Sequence, residues 1–405
     1  MLDLQSFIEA PDRYPIYKSW RDESPALRLD FGGSPVWVLS RHQDVSALLK
    51  DPAARMKPPG TGAPAGFTDP ITLKMFKAQL VLSDPPDHDR LRRLVAPAFS
   101  PSSIGSLREW IEQMVEARVK ELAGCGSFDM MEDLVAYVPG NTILKILGIP
   151  KSDWEPLIGR VPAFLNFFSP FLLEDAAREA TEEACCYYYD YFGALVDERR
   201  GKPGDDIIGR LITAHDDQDS LSHDELIGIM HAFLNAGFET TNSALGSGVF
   251  GLLSQGTPWR QLCADPSLAG AALEETLRWE APIHFTWRYP ASDLTVGDTV
   301  IPAGEPVLAC LASANRDERK FADPDIILLD RPAREYMTFG GGRHFCVGSH
   351  LAKLEARTVL STLARHMPDL ELEERDPEKH PLLMFPALKR LKVRRGGDTL
   401  CRDTA

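Results

Sequence analysis

The residues with most chemistry to offer stand in one ten-residue string, Phe339-Gly340-Gly341-Gly342-Arg343-His344-Phe345-Cys346-Val347-Gly348. Its three consecutive glycines can take positive φ, so the backbone can press close to a bulky group. Cys346 follows, and an apolar, helix-forming run begins after it through Leu351, Ala352, Leu354, Val359 and Leu360. A cysteine at a helix N-terminus meets unpaired N–H groups and the positive end of the dipole, which favour the thiolate. A thiolate held there is a soft ligand for iron. Singly, a cysteine is most often a small buried apolar residue, and a glycine run most often a turn. The string as a whole satisfies Phe-Gly-x-Gly-x-His-x-Cys-x-Gly at every fixed position.

A second candidate lies in the middle of a long helix. Ser222-His223-Asp224-Glu225 is an N-cap signature, serine followed three residues later by glutamate. It predicts a helix to about Ser254, roughly 50 Å at 1.5 Å per residue, long enough to cross the molecule and be mostly buried. Its middle reads Ala236-Gly237-Phe238-Glu239-Thr240-Thr241-Asn242. Glycine and threonine in mid-helix cost stability, and a buried acid needs a partner or a shifted pKa. Local rules broken at one place point to function; the alternative is a polar patch facing solvent.

Three further groups carry charge at helical or turn spacing. His88 and Arg92 stand four apart and share a helix face; by themselves they read as a solvated basic helix start. Glu275 and Arg278, at i and i+3, read as a surface pair worth about 1 kcal/mol or less. Ala281-Pro282 then breaks that helix, and the following residues through Arg288 become strand.

The elements that must position these groups are mainly helical. Ala26–Asp30 and Pro35–Leu39 alternate as a hairpin around Gly32-Gly33, and Ser40 is expected to cap a helix from Arg41 to Lys50. Residues 57–80 lack periodicity, which suggests a functional loop. Asn315-Arg316-Asp317 leads into the segment before the cysteine, and 381–386 suggests a hairpin tip. The chain has 405 residues, 44% hydrophobic and 25% charged, an ordinary globular balance. A net charge of −15 argues against a nucleic-acid partner. Seven cysteines, at 125, 185, 186, 263, 310, 346 and 401, show no paired spacing, which fits a reducing cytoplasm and no zinc site. No secretory leader and no membrane-length apolar run is read, so a soluble protein is expected.

The cysteine string resembles the haem-binding loop of the cytochrome P-450 family, and the other motifs follow in that family's order over almost the whole chain. The resemblance implies a triangular, mainly α fold with a smaller β region, a single domain over 1–405 with frayed ends at 1–10 and 396–405. It implies haem b with an axial thiolate from Cys346, and a loop and helix that approach the haem through Phe339, Gly348, Ala236 and Gly237. His88, Arg92, Arg288 and His344 are then the propionate anchors. His344 could also rival Cys346 as axial ligand, histidine being the commoner one elsewhere; the cysteine is preferred because it is taken to open the helix. Thr240 is expected to support oxygen activation, and Glu239 to relay protons. Glu275, Arg278 and Arg331 form a buried structural cluster. Phe67, Leu80, Leu82, Phe167, Phe168, Phe233, Ala236, Phe285 and Phe385 are the candidate substrate lining.

The implied activity is that of a soluble bacterial monooxygenase: O2 hydroxylates or epoxidises a hydrophobic small molecule, a natural product or a xenobiotic. Electrons come from NAD(P)H through ferredoxin reductase and ferredoxin. Arg90, Arg93, Arg343, His350, Lys353 and Arg357 gather around the cysteine as a docking patch for an acidic ferredoxin. A peroxide-driven peroxygenase is the alternative enzyme, and a non-catalytic haem sensor the alternative of another class; intact Glu239 and Thr240 disfavour both.

Overall fold

The computed structural model describes residues 4–31, 34–60, 67–165, 175–202, 204, 207–213, 221–332 and 335–396. Its longest element is the 33-residue helix His223–Gln255. The Ser222 hydroxyl accepts the Glu225 amide at 3.2 Å, and the Glu225 carboxylate accepts the Ser222 amide at 2.8 Å. This is the reciprocal cap that the Ser-x-x-Glu spacing predicts. Leu226, Ile227, Met230, Leu234, Leu245, Val249 and Leu252 are buried all round the helix, so it runs through the core. Helices Pro70–Ala78, Tyr137–Leu147, Asp175–Arg199, Ala269–Trp279 and Ser349–His366 pack against it. No helix among the described residues is long and apolar enough to cross a membrane.

The β region is smaller. Five strands run in the order Leu27–Phe31, Ser34–Leu39, Val307–Cys310, Phe285–Pro290, Ala54–Arg55. The first two form the expected antiparallel hairpin, with Leu27 opposite Val38. Ser34–Leu39 pairs in parallel with Val307–Cys310, and Arg288 stands opposite Val307 on the next, antiparallel strand. A separate three-stranded sheet joins Ser127–Asp129, Lys392–Arg395 and Leu370–Leu372. Between the N-terminal helices and the first sheet lies a second apolar cluster, with Phe7, Tyr17, Trp20, Phe285, Leu308, Met384 and Phe385.

Several local expectations change. Helix His42–Lys50 has no side-chain cap from Ser40; its first amide donates to Asp317 Oδ2 at 2.8 Å, from a distant part of the chain. The Ser40 hydroxyl is buried without a partner. The aperiodic stretch contains a helix, Pro70–Ala78, whose cap is Asp69 accepting the Thr72 amide at 2.7 Å; Asp-Pro was the available signal. The N-terminus is not frayed throughout 1–10, because Leu4–Glu9 is helical and Phe7 is buried in the aromatic cluster. The 381–386 segment is a hairpin tip closed by a Lys379–Leu388 bridge. The post-cysteine helix begins at Ser349, after Gly348, rather than at Cys346 itself.

Candidate active site

The cysteine loop is pinned by backbone bonds. The Gly340 amide donates to Met337 O at 2.8 Å, and the Cys346 amide to Phe339 O at 2.9 Å. Gly342 sits at φ +61°, and a Cβ there would lie 2.3 Å from the Leu49 carbonyl oxygen. That glycine serves the seating of the loop on the end of helix His42–Lys50, not the approach of a ligand, which corrects the expectation. The Cys346 side chain remains accessible. The Gly348 and Ser349 amides act on its sulfur to favour the thiolate. Although the residue is open to solvent, desolvation by the protein crowded around the sulfur pushes the thiol pKa up, while those amides and the Arg92 charge pull it back. The amides alone therefore do not secure a thiolate; a coordinated metal ion does so outright.

The four proposed anchors converge beside this loop. His88 and His344 have ring centroids 4.3 Å apart. The charges of Arg288, His88, Arg343 and Arg92 all act on His344, whose pKa is driven down to about 2, first by burial and then by these cations. Arg288 is buried and reaches Thr286 Oγ1 at 3.2 Å and Trp287 O at 2.7 Å. Burial lowers its pKa to about 10, with the Asp84 charge acting the other way. Asp84 is itself held by the Met56 and Lys57 amides at 2.9 and 3.0 Å. Among the described residues neither Arg92 nor Arg288 has a carboxylate within ion-pair distance, and Nε2 of both His88 and His344 is buried without a partner. His88 Nδ1 donates to Asp89 at 2.9 Å. Arg92 and Arg288, gathered here with no carboxylate at ion-pair distance among the described residues, call for an anionic group, and arginine forks suit carboxylates. With a soft sulfur ligand beside them, these residues fit a haem carrying two propionates. Thr286 escaped the sequence reading, although strand alternation puts it on the face of Arg288.

The same alternation moves Phe285 to the opposite face. It packs against Phe7, Tyr17 and Trp20 at ring distances of 6.3, 5.8 and 6.4 Å, so it is core and not substrate lining. Phe385 belongs to the same cluster. Phe67, Leu82 and Phe233 are buried in the main core, Phe233 against Phe99 at 4.5 Å. Leu80 is half-buried beside that core. Phe167 and Phe168 lie outside the described residues. Ala236 is the candidate lining residue whose side is exposed, in the middle of the otherwise buried long helix.

Around Ala236 the helix is continuous. The Thr240 hydroxyl donates to Ala236 O at 2.6 Å, the i−4 back-bond that threonine makes in helices. No local opening of the helix is present at this point. Gly237 does not face the same way: a Cβ on it would lie 2.6 Å from Ile143 Cδ1. Its small size serves the packing of helix Tyr137–Leu147, which corrects its assignment as a haem neighbour. Glu239 is half-buried, has no hydrogen-bond or ion-pair partner among the described residues, and burial raises its pKa.

The Glu275 cluster is buried and structural. Arg278 Nε and Nη2 donate to the two Glu275 oxygens at 2.9 and 3.0 Å, and Arg331 Nε reaches both at 3.0 Å. The Leu328 amide adds a fourth donor at 3.0 Å. Burial acts to raise the Glu275 pKa, but these donors lower it overall. The surface-pair reading does not apply here.

A long buried helix, a cysteine loop leading into a helix N-terminus and two arginines with no carboxylate at ion-pair distance among the described residues fit a haem-thiolate protein. The comparisons agree. The family profile for cytochrome P450 matches residues 263–390. The cytochrome P450 monooxygenase PikC of Streptomyces venezuelae is 34% identical over 95% of this chain and 91% of its own. The mycinamicin IV hydroxylase/epoxidase of Micromonospora griseorubida is 35% identical over 84% of each. A crystal structure of P450BioI with an acyl carrier protein superposes with a TM-score of 0.90 at 27% identity, covering 98% of this chain and 100% of that one. The chain belongs to the cytochrome P450 family. It is a monooxygenase whose cofactor is haem with a cysteine thiolate as axial ligand.

Proposed function

We propose that this protein, acting as one domain, hydroxylates or epoxidises a hydrophobic natural product, with electrons passed from NAD(P)H through a ferredoxin reductase and a ferredoxin. The observation that carries the site assignment is the convergence of His88, Arg92, Arg288 and His344 beside Cys346 with no paired carboxylate on either arginine among the described residues. When bound, the haem supplies O2 activation, placing one oxygen atom in substrate and one in water, with the thiolate favouring O–O cleavage. Cys346 would hold the haem iron through its sulfur, which the Gly348 and Ser349 amides favour as the thiolate. Phe339 gives its carbonyl to the Cys346 amide. Arg92, Arg288, His88 and His344 would hold the propionates. Glu239 carries protons inward, and the Thr240 hydroxyl, which rests on Ala236 O, accepts one and gives its own onward beside the exposed Ala236. A further relative, the polyketide biosynthesis cytochrome P450 PksS of Bacillus subtilis, 31% identical over 89% of each chain, supports a polyketide-type substrate. The test is a spin-state titration of the holoenzyme with macrolides, other polyketides and fatty acids, followed by NAD(P)H-driven turnover. A low-to-high-spin shift and a product heavier by one oxygen are expected for a polyketide. Peroxide-driven turnover exceeding the ferredoxin-driven rate would overturn the electron route, and a shift with fatty acids alone would overturn the substrate class.

A further inference from the structure

We propose that Asn315 is a positioning residue for the Cys346 thiolate, fixing the root of the cysteine loop to the buried Glu275 cluster. The proposal rests on the haem-thiolate reading of Cys346. Asn315 is 0% exposed and ends the short helix Leu311–Asn315. Its backbone carbonyl accepts Arg278 Nη1 at 3.1 Å. Its Oδ1 accepts the Met337 amide at 2.6 Å, and its Nδ2 donates to Thr338 Oγ1 at 2.9 Å. The Thr338 hydroxyl then donates to the carbonyl of Leu277, the neighbour of Arg278. Arg278, Asn315, Thr338 and Leu277 thus close a ring of buried hydrogen bonds.

The side chain at 315 must be an amide. Met337 N–H needs an acceptor. Thr338 Oγ1 has committed its one hydrogen to Leu277, so it needs a donor. Aspartate meets the first demand and not the second, and it adds a charge in a buried place. Leucine meets neither.

The two residues that Asn315 grips are those from which the loop hangs. Met337 O accepts the Gly340 amide, and the residue after Thr338 is Phe339, whose carbonyl accepts the Cys346 amide at 2.9 Å. A displacement at 337–338 passes through that one carbonyl to the backbone of the ligating cysteine. The far side of the loop is held from the same place. Asp317 caps helix His42–Lys50, and the end of that helix carries Gly342. Asn315 and Asp317 therefore hold the loop from both sides.

The experiment compares Asn315→Asp and Thr338→Val in the holoenzyme, with Val196→Ala as a control of the same kind of core loss far from the loop; Val196 is buried in helix Asp175–Arg199. The readout is the rate at which the ferrous carbon monoxide complex loses its thiolate-type band on mild heating. One buried hydrogen bond is worth about 1.5 kcal/mol, so conversion should speed up about tenfold in each loop variant. Val196→Ala should convert at the parental rate even with a lowered melting temperature. Parental conversion rates in Asn315→Asp and Thr338→Val overturn the proposal. If Asn315→Asp yields no holoprotein, the rate of Thr338→Val decides. A parent that never shows the thiolate-type band overturns the reading of Cys346 instead, so the two failures are distinct.

Discussion

Two glutamates show how much the surroundings of one side chain decide. Glu280 is buried, yet His284 Nε2 at 2.8 Å, Tyr14 Oη at 2.8 Å and Lys379 at 3.9 Å surround it. Burial alone would raise its pKa; the cations and donors bring it down to about 2. Glu239 has no such company, and burial raises its pKa. It keeps a proton at a pH where an ordinary carboxyl has lost one, which suits an acid that must deliver protons. Replacing it with glutamine should lower ferredoxin-driven product formation about 10²-fold. The parent rate should also fall on the alkaline side as Glu239 loses its proton, whereas the Glu239→Gln rate should be flat there. Rate against pH for both proteins checks this; an identical alkaline limb in the variant removes Glu239 from the relay. Glu355 makes the complementary case outside the site. It is buried, Oε1 has no partner, and burial raises its pKa from 4.5 to about 8 against the opposing effect of the Thr142 hydroxyl. The folded state then binds this proton more tightly than the unfolded state. The stability it contributes is complete below the unfolded pKa and is lost as pH rises through about 8. Glu355→Gln should therefore gain melting temperature on the parent as pH climbs through that window. Parallel melting curves across it would count against the assignment.

At the level of elements, what could be read from the chain was what local residues decide. Ser222 and Glu225 cap the long helix because the cap is built from its own first turn. The anchor residues came from the family resemblance, since His88 and Arg92 by themselves read as a solvated helix start. Contacts made at long range were not legible. Nothing near Ser40 reveals that Asp317 caps the next helix. Nothing near Gly237 or Gly342 reveals that Ile143 and Leu49 fill the space a side chain would need. Phe285 was misassigned for a different reason: the alternation that separates it from Arg288 was in the sequence and was not applied. The loop glycines allow a sharp comparison. Gly340 and Gly342 both have positive φ, but a Cβ on Gly340 meets only the His344 carbonyl at 3.5 Å, while one on Gly342 would drive into the Leu49 carbonyl. Both alanine variants pay backbone strain of about 1 kcal/mol, and Gly342→Ala must also push the loop off the helix end. Haem content per polypeptide should therefore fall much further in Gly342→Ala than in Gly340→Ala. Equal haem content in the two would show that the Leu49 contact does not set the loop.

For the whole molecule the question is how an acidic protein, net −15, could attract an acidic electron donor. The sequence suggested six basic residues around the cysteine, and folding brings acids onto at least three of them. Arg90 pairs with Glu225, Lys353 with Glu274 at 2.9 Å, and Arg343 with Asp89 at 3.6 Å. Arg93, His350 and Arg357 remain exposed. Position along a chain shows where cations stand and not which carboxylates fold against them. The patch is therefore narrower than six residues, and the choice of variant matters. Lys353→Glu would set two carboxylates together at Glu274 and confound docking with local repulsion. Arg93→Glu with Arg357→Glu places the charge reversal on two exposed arginines instead. Long-range attraction between a positive patch and a negative partner raises association rates by roughly tenfold or more and fades with salt. The double variant should accept electrons from ferredoxin roughly tenfold more slowly at low ionic strength. Its reduction rate should also lose the parent's decline with added salt. Stopped-flow reduction in the presence of carbon monoxide reads both quantities. A parental rate with a parental salt slope would move the docking face away from the cysteine side, since neither cation would then contribute to steering.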